Sequence, residues 1–172
     1  LVFAVAGYAA VIMTTEAHLP YFFGLFAAVG AAVLLGCGID AFLYRRLRMA
    51  GATQATTFLA SLGLGTAGVA ILLFAFTSSP RRLPGFPTKV LSIGEAFFSV
   101  ADLTMVIVSW AMIGLLLLFL AKSRYGKAIR AVGSNAEMAR NVGLNIDRLY
   151  LLVFGIGSGL FGVAAFLFTA KN

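Results

Sequence analysis

The chain has 172 residues, of which 61% are hydrophobic and only 11% charged, and its formal net charge is +7. An ordinary soluble domain is about 25% charged, so this composition excludes a soluble globular fold. The basic residues are confined to short polar segments between long uncharged runs, so the positive charge gives no reason to invoke nucleic acid.

The uncharged runs set the architecture. Residues 21–39 and 103–121 each run for 19 residues without a charge, residues 149–170 for 22 and residues 49–80 for 32. A helix needs about 20 apolar residues to cross the hydrocarbon core of a bilayer. A soluble core helix buries one stripe and shows a polar one, and these runs show no polar face. The expected fold class is therefore all-α: a polytopic transmembrane helical bundle with about four full spans and one partial span.

In chain order, residues 1–13 are apolar but too short to cross alone, and no basic region precedes them. They are expected to be the end of a helix that begins upstream. Residues 14–19 form a loop holding Glu16 and His18, which a metal site would have to supplement with further ligands. A span follows over 20–44, with Pro20 suited to a first helical position. Asp40 lies near its end, a turn from Arg45, and is expected at the membrane interface. A basic turn over 45–51 leads to a span over 52–77. The linker 78–101 holds Pro80, Pro84 and Pro87. A span over 102–121 comes next, with Ser99 and Asp102 at capping-box spacing before it. The polar loop 122–148 and a last span over 149–170 complete the chain. Cys37 is the one cysteine, so no intrachain disulfide exists, and it reads as a small packing residue.

Charge orients these elements. Arg45, Arg46, Arg48, Lys122, Arg124, Lys127, Arg130, Arg140 and Arg148 lie in two loops on one side, nine basic residues in all. Arg81, Arg82 and Lys89, in the linker, are the three on the other side. The positive-inside rule assigns loops 45–51 and 122–148 to the cytoplasm and the linker to the opposite face.

Small residues recur at four-residue spacing: Gly24, Ala28, Ala32 and Gly36 in one span, and Gly155, Ser158, Gly159 and Gly162 in the last. Ser61, Gly63, Gly65 and Gly68 give a third such set. This pattern lets membrane helices approach closely. Membrane-buried ionisable residues mark proton relays and ion sites, and the spans carry almost none. The interior polar groups are chiefly hydroxyls and one amide, among which Gln54, Thr57, Ser61 and Ser109 are the candidates for a substrate pathway. Nothing in these residues would couple transport to protons or sodium.

The loop 122–148 is long for a connection between packed helices, and such loops usually have a function. Ser134-Asn135-Ala136-Glu137 has capping-box spacing, and Gly143 is placed to end a helix in a left-handed cap. The spacing predicts a helix over 135–142, with Glu137 and Arg140 paired across it and Met138, Ala139 and Val142 as an apolar stripe. Two turns are too few to be stable alone in water, so the helix must be held against something, and small Ala136 and Ala139 favour docking to protein.

Residues 125–167 resemble the permease subunits of bacterial branched-chain amino-acid ABC importers. Gly126, Arg130, Ala131, Glu137, Ala139, Gly143 and Asn145 match that family's pattern, with Leu144 in place of the usual Ile. Tyr44-Arg45-Arg46-Leu47-Arg48 is a second match, in which Arg46 replaces a proline. The usual Ala-Gly late in the last helix is Ala164-Ala165 here. The resemblance implies one transmembrane permease domain over 1–172, truncated at both ends, in the inner (plasma) membrane of a bacterium. It implies that the seven matched residues belong to an ATPase-coupling loop. It also implies partners: cytoplasmic ATP-binding subunits, a second permease subunit and an extracytoplasmic substrate-binding protein. No cofactor, metal or catalytic residue is expected in this chain, since the partner subunits would bind ATP and Mg and translocation would proceed by alternating access. The alternatives are a permease of the same superfamily for urea, amides or sugars, and a gradient-driven secondary transporter. The first separates from the second by whether uptake requires ATP.

Overall fold

The computed structural model describes the backbone of residues 1–16, 21–76, 90–93 and 96–171, and the side chains of 1–14, 23–74 and 102–170. His18, Pro20, the three linker prolines, Arg81, Arg82, Lys89 and the side chain of Ser99 lie outside these, with the readings placed on them.

Eight helices are described. They are α1 (Val2–Val11), α2 (Tyr21–Ile39), α3 (Arg45–Met49), α4 (Gln54–Phe76), α5 (Val100–Lys122), α6 (Arg124–Ser134), α7 (Ala136–Asn141) and α8 (Ile146–Lys171). Single π turns, Ile12–Glu16 and Asp40–Tyr44, follow α1 and α2. Four helical stretches are long and apolar enough to cross a bilayer: Phe23–Met49, Gln54–Phe74, Asp102–Lys122 and Ile146–Ala170, and Val2–Thr14 is a shorter apolar helix. The chain is thus the polytopic helical fold, four full spans and one partial, that the uncharged runs predict.

The structure departs from the sequence reading in several places: residues 14–16, expected in a loop, lie in the first π turn, and α8 begins at Ile146, inside the expected loop. Residues 45–49, expected in a turn, continue the helix, and the chain turns only at Ala50 and Gly51, the latter at φ +67. The linker also contains regular structure: β1 (Val90–Ile93) pairs antiparallel with β2 (Ala96–Ser99), in the register Val90 to Ser99 and Ile93 to Ala96. Helix α5 begins at Val100, which puts Asp102 in its first turn, where a carboxylate suits the helix dipole.

Two compact units divide the chain. The first comprises Leu1–Pro84 and Phe154–Asn172, the second Gly85–Val153.

The core of the first unit is where α2 meets α8. Ala28 and Ala32 are fully buried there. A Cβ added to Gly162 would lie 2.8 Å from the Cα of Val29 and 2.9 Å from the carbonyl oxygen of Ala28, both backbone atoms. A Cβ on Gly159 would touch Val33, one on Gly155 would sit 3.4 Å from Cys37 Sγ, and one on Gly36 would run into Ser158. Tyr44 stacks on Phe154 with ring centroids 5.0 Å apart. Rising numbers on α2 meet falling numbers on α8, so the two helices are antiparallel. The two stripes of small residues face each other, and the closest approach is at Gly162 rather than at the Gly155–Gly159 pair.

Helix α1 joins this core. Phe3 meets Phe168 edge to face, and Gly7 faces Thr169 Oγ1 at 3.1 Å from a notional Cβ. Of the α4 glycines, Gly68 packs on Leu1, whereas Gly63 and Gly65 meet nothing within 4 Å. The small-residue reading therefore accounts for α2 and α8 but not for most of α4. Both α4 and α5 present large apolar side chains outward, with Phe74 95% and Trp110 72% exposed, as lipid-facing or partner-facing helices do.

The antiparallel packing has two direct tests. A Gly155→Cys variant should form a disulfide with Cys37 on mild oxidation, read as protection of both thiols from a mass-tagging maleimide. Gly162→Ala should lower the thermal stability of the solubilised protein by about 1–3 kcal/mol, because backbone atoms cannot yield to the added methyl. Gly30→Ala, where a Cβ meets nothing within 4 Å, should leave it unchanged.

Candidate functional site

The seven residues matched in the loop 122–148 all fall in the second unit, on α6, α7 and the turn into α8. Helix α5 ends at Lys122 because Ser123 adopts extended backbone, φ −78 and ψ 153. Its Oγ accepts a hydrogen bond from the Gly126 amide at 2.8 Å, capping α6. Gly126 lies against the end of α5: a Cβ there would stand 2.5 Å from Leu120 Cα and 2.6 Å from the Phe119 carbonyl. Only a residue without a side chain lets the chain double back this tightly.

The sequence reading missed α6, taking 122–134 as loop. The signal was present. Ser123 precedes Tyr125, Ala128, Ile129 and Val132, an i, i+3, i+4, i+7 pattern on one face of a helix. Ala128, Ile129 and Val132 are half-buried along that face. Arg130 and Ala131 lie on this helix, both exposed.

Helix α7 is shorter than expected and is capped one residue later. Asn135, not Ser134, is the cap, and its Oδ1 accepts from the Met138 amide at 2.9 Å. Ser134 instead ends α6. The shift follows from α6 itself, whose last turn engages residue 134 in helix and leaves Asn135 as the first extended residue, φ −155 and ψ 104. Glu137 keeps its place in the first turn and Arg140 in the last, where both charges suit the dipole. Both are exposed, and no ion pair joins them.

The other end of α7 is as predicted. Gly143 takes φ +86, its amide donates to the Arg140 carbonyl at 2.9 Å, and the Leu144 amide donates to the Ala139 carbonyl at 3.1 Å. These two bonds make a Schellman closure, which an L side chain at 143 would strain. Asn145 then caps α8, its Oδ1 accepting from the Arg148 amide at 3.2 Å. The expected apolar stripe is split: Ala139 is buried, while Met138 (67% exposed) and Val142 (82% exposed) point outward. The result is a short helix closed at both ends by its own capping bonds, presenting Glu137, Met138, Arg140 and Val142.

The substrate-pathway candidates are less organised. Gln54, Thr57 and Ser61 share one face of α4, at i, i+3 and i+7. Thr57 Oγ1 donates to the Thr53 carbonyl at 3.2 Å and Ser61 Oγ to the Phe58 carbonyl at 2.7 Å, so these hydroxyls serve their own helix. Ser109 is exposed on α5, in the other unit.

One constellation was not foreseen. Asp40, expected at the membrane interface near Arg45, is 1% exposed and pairs with Arg48, eight residues on. Nη1 to Oδ1 is 2.8 Å and Nη2 to Oδ2 is 3.3 Å, a two-pronged guanidinium–carboxylate contact. The Asp40 side chain is buried and that of Arg48 is 27% exposed, so loss of Arg48 would leave a buried carboxylate without its guanidinium partner.

Helices of this length and apolarity, joined by capped polar segments, define the chain as a multi-span membrane protein. Its sequence matches the family described as the branched-chain amino acid transport system permease component over residues 1–172, and the chain belongs to that family. It is 27% identical over 152 residues to the high-affinity branched-chain amino acid transport system permease protein BraD of Pseudomonas aeruginosa, covering 83% of this chain and 49% of that one. It is 28% identical over 149 residues to LivH of Escherichia coli, a permease protein of the same kind of system, covering 84% of this chain and 48% of LivH. It is 29% identical over 112 residues to the autoinducer 2 import system permease protein LsrC of Klebsiella pneumoniae, covering 63% of this chain and 31% of LsrC. The chain spans about half the length of BraD and LivH. No solved structure matches it.

The capping geometry predicts local stability. Asn135→Ala should weaken α7 by about 1 kcal/mol through loss of its cap, and Gly143→Ala by about 1–2 kcal/mol through the left-handed backbone it must adopt. Hydrogen exchange of the α7 amides measures both, with Gly133→Ala, where a Cβ meets nothing within 4 Å, as the control expected to show no loss.

Proposed function

We propose that the chain is part of the membrane-spanning permease subunit of an ATP-driven importer for branched-chain or related amino acids, in the inner membrane of a bacterium. Residues 1–172 form one permease domain. Translocation is alternating access between outward- and inward-facing arrangements of the helices, with no covalent chemistry in this chain. ATP and Mg are held by separate cytoplasmic ATPase subunits, a second permease subunit completes the pathway, and an extracytoplasmic binding protein delivers substrate on the side of the linker 78–101. Loops 45–51 and 122–148 face the cytoplasm, as their nine basic residues require.

The match to the permease family over the whole chain carries the transport reading. The coupling role of 122–148 rests on the construction of α6 and α7. A six-residue helix cannot hold itself in water, yet this one has its cap, its Schellman closure and its buried Ala139 already in place. Its outward side chains are therefore displayed on a preformed backbone, which suits insertion into a cleft of a partner subunit. In this role Glu137, Ala139 and Gly143 shape the docking helix. Gly126 sets α6 against α5, Arg130 and Ala131 are exposed on α6, and Asn145 joins the assembly to α8. Motion of the partner is then transmitted to α5 and α8 through short capped junctions rather than slack loop. Gln54, Thr57, Ser61 and Ser109 remain the candidates for the pathway.

The likeness to LsrC supports a second reading of the cargo, a non-amino-acid solute carried by the same machinery. The ligand held by the cognate binding protein distinguishes the two.

In the complete transporter, Glu137→Ala and Gly143→Pro should each lower substrate uptake and substrate-stimulated ATP hydrolysis by about tenfold or more, about 1.4 kcal/mol of coupling. Normal uptake and normal stimulated hydrolysis in both variants would remove the coupling assignment. Uptake that persists without ATP would instead favour gradient-driven transport.

A further inference from the structure

The π turn Asp40–Tyr44 requires a cause. A π turn is a rare, less favourable departure from the α-helix, equivalent to one extra residue in the turn. Here the Arg45 amide donates to the carbonyl of Asp40, five residues back. The side chain of the same Asp40 grips Arg48 with both oxygens.

These two facts are linked by helical phase. In a regular α-helix, residues eight apart stand about 80° apart around the axis. One extra residue absorbed in a π turn takes back about 100°, which leaves the two side chains within about 20° of each other. The two-pronged pair is therefore matched to the π form and mismatched to the α form. Burial adds to this selectivity, since a carboxylate 1% exposed beside an apolar seam cannot exchange its partner for water. The seam is close on both sides: Gly36 and Cys37 meet Ser158 and Gly155 of α8 before Asp40, and Tyr44 stacks on Phe154 after it.

The geometry points to Asp40 and Arg48 as a latch that holds residues 40–44 in the π form and so sets the rotational phase of the basic segment Arg45–Met49 relative to α2. Without the latch the segment relaxes to regular α-helix and Arg45–Met49 turns by one residue position. Under the transport reading above, on which this part rests, both residues are positioning residues for translocation, because they fix how the end of a membrane span enters the turn to α4.

The test uses the full-length permease assembled with its partner subunits in membranes, with Cys37→Ala as background. Single cysteines at Arg45, Arg46, Leu47 and Met49 are labelled with a membrane-impermeant maleimide. With the latch intact, 45, 46 and 49 are exposed and should react faster than half-buried 47. In an Asp40→Asn, Arg48→Gln double variant, which buries no lone charge, the reactive set should shift by one position. Deleting Phe42, a 75% exposed residue within the turn, in that double variant should return the original set, because an α-helix one residue shorter ends in the same phase. A pattern unchanged in the double variant overturns the latch, and so does a shift that the deletion fails to reverse. If the double variant does not reach the membrane, Arg48→Lys, which keeps the charge but not the fork, takes its place: a shifted pattern supports the latch and an unshifted one overturns it. Uptake measured in parallel should fall with the shift and recover with the deletion. Uptake indifferent to a demonstrated shift overturns the positioning role alone, whereas absent uptake with the latch intact counts against the transport reading.

Discussion

The backbone of α8 at Gly162 lies against the backbone of α2 at Ala28 and Val29, and much of the first unit follows from that contact. Apolar side chains gain nothing by leaving lipid for one another, so membrane helices associate through van der Waals packing at short range. Short range requires that no Cβ intervene. The fully buried Ala28 and Ala32, and the missing side chains at Gly36, Gly155, Gly159 and Gly162, supply that condition along several turns. Once α2 is held at that distance, its rotation about its own axis is fixed too, and Cys37 and Tyr44 are brought to the same partner.

That fixed rotation makes a buried charge tolerable. Asp40 cannot reach water, and its stability depends on a partner delivered from two turns away. The chain meets the demand by inserting a π turn rather than by moving the helix, which the small-residue packing forbids. The other polar groups of the spans are treated differently. Thr57, Ser61, Thr66 and Thr169 hydroxyls bond carbonyls of their own helices three or four residues back, as does Ser158 to Phe154. In an apolar medium a hydroxyl needs a partner, and the local carbonyl is always within reach. Such residues carry no outward-directed demand for a ligand until another group offers a better bond.

The second unit rests on capping rather than on apolar packing. Ser123, Asn135 and Asn145 each use a side-chain oxygen to satisfy a backbone amide at the start of a helix. Gly143 closes the one end that needs a left-handed residue. Helices α5, α6 and α7 thus follow one another with single-residue joints at Ser123 and Asn135, four residues join α7 to α8, and a segment that composition marks as polar loop becomes a series of capped helices.

The sequence by itself determined the spans, because their length and lack of charge leave a helix few alternatives in a bilayer, and it determined the Gly143 stop, because the αL position admits few residues. It also marked small-residue stripes on α2, α4 and α8 as packing surfaces, but only the structure decided that those on α2 and α8 meet while Gly63 and Gly65 of α4 meet nothing. It could not choose Asn135 over Ser134 as a cap: both side chains can cap, and the choice depends on where α6 ends. Helix α6 was legible in the spacing of Tyr125, Ala128, Ile129 and Val132, but its high charge masks it in composition. The pairing of Asp40 with Arg48 was decided only by tertiary structure. Eight residues is the wrong spacing for a regular helix, and the π turn that corrects it is matched to a carboxylate that the folded chain has withdrawn from water.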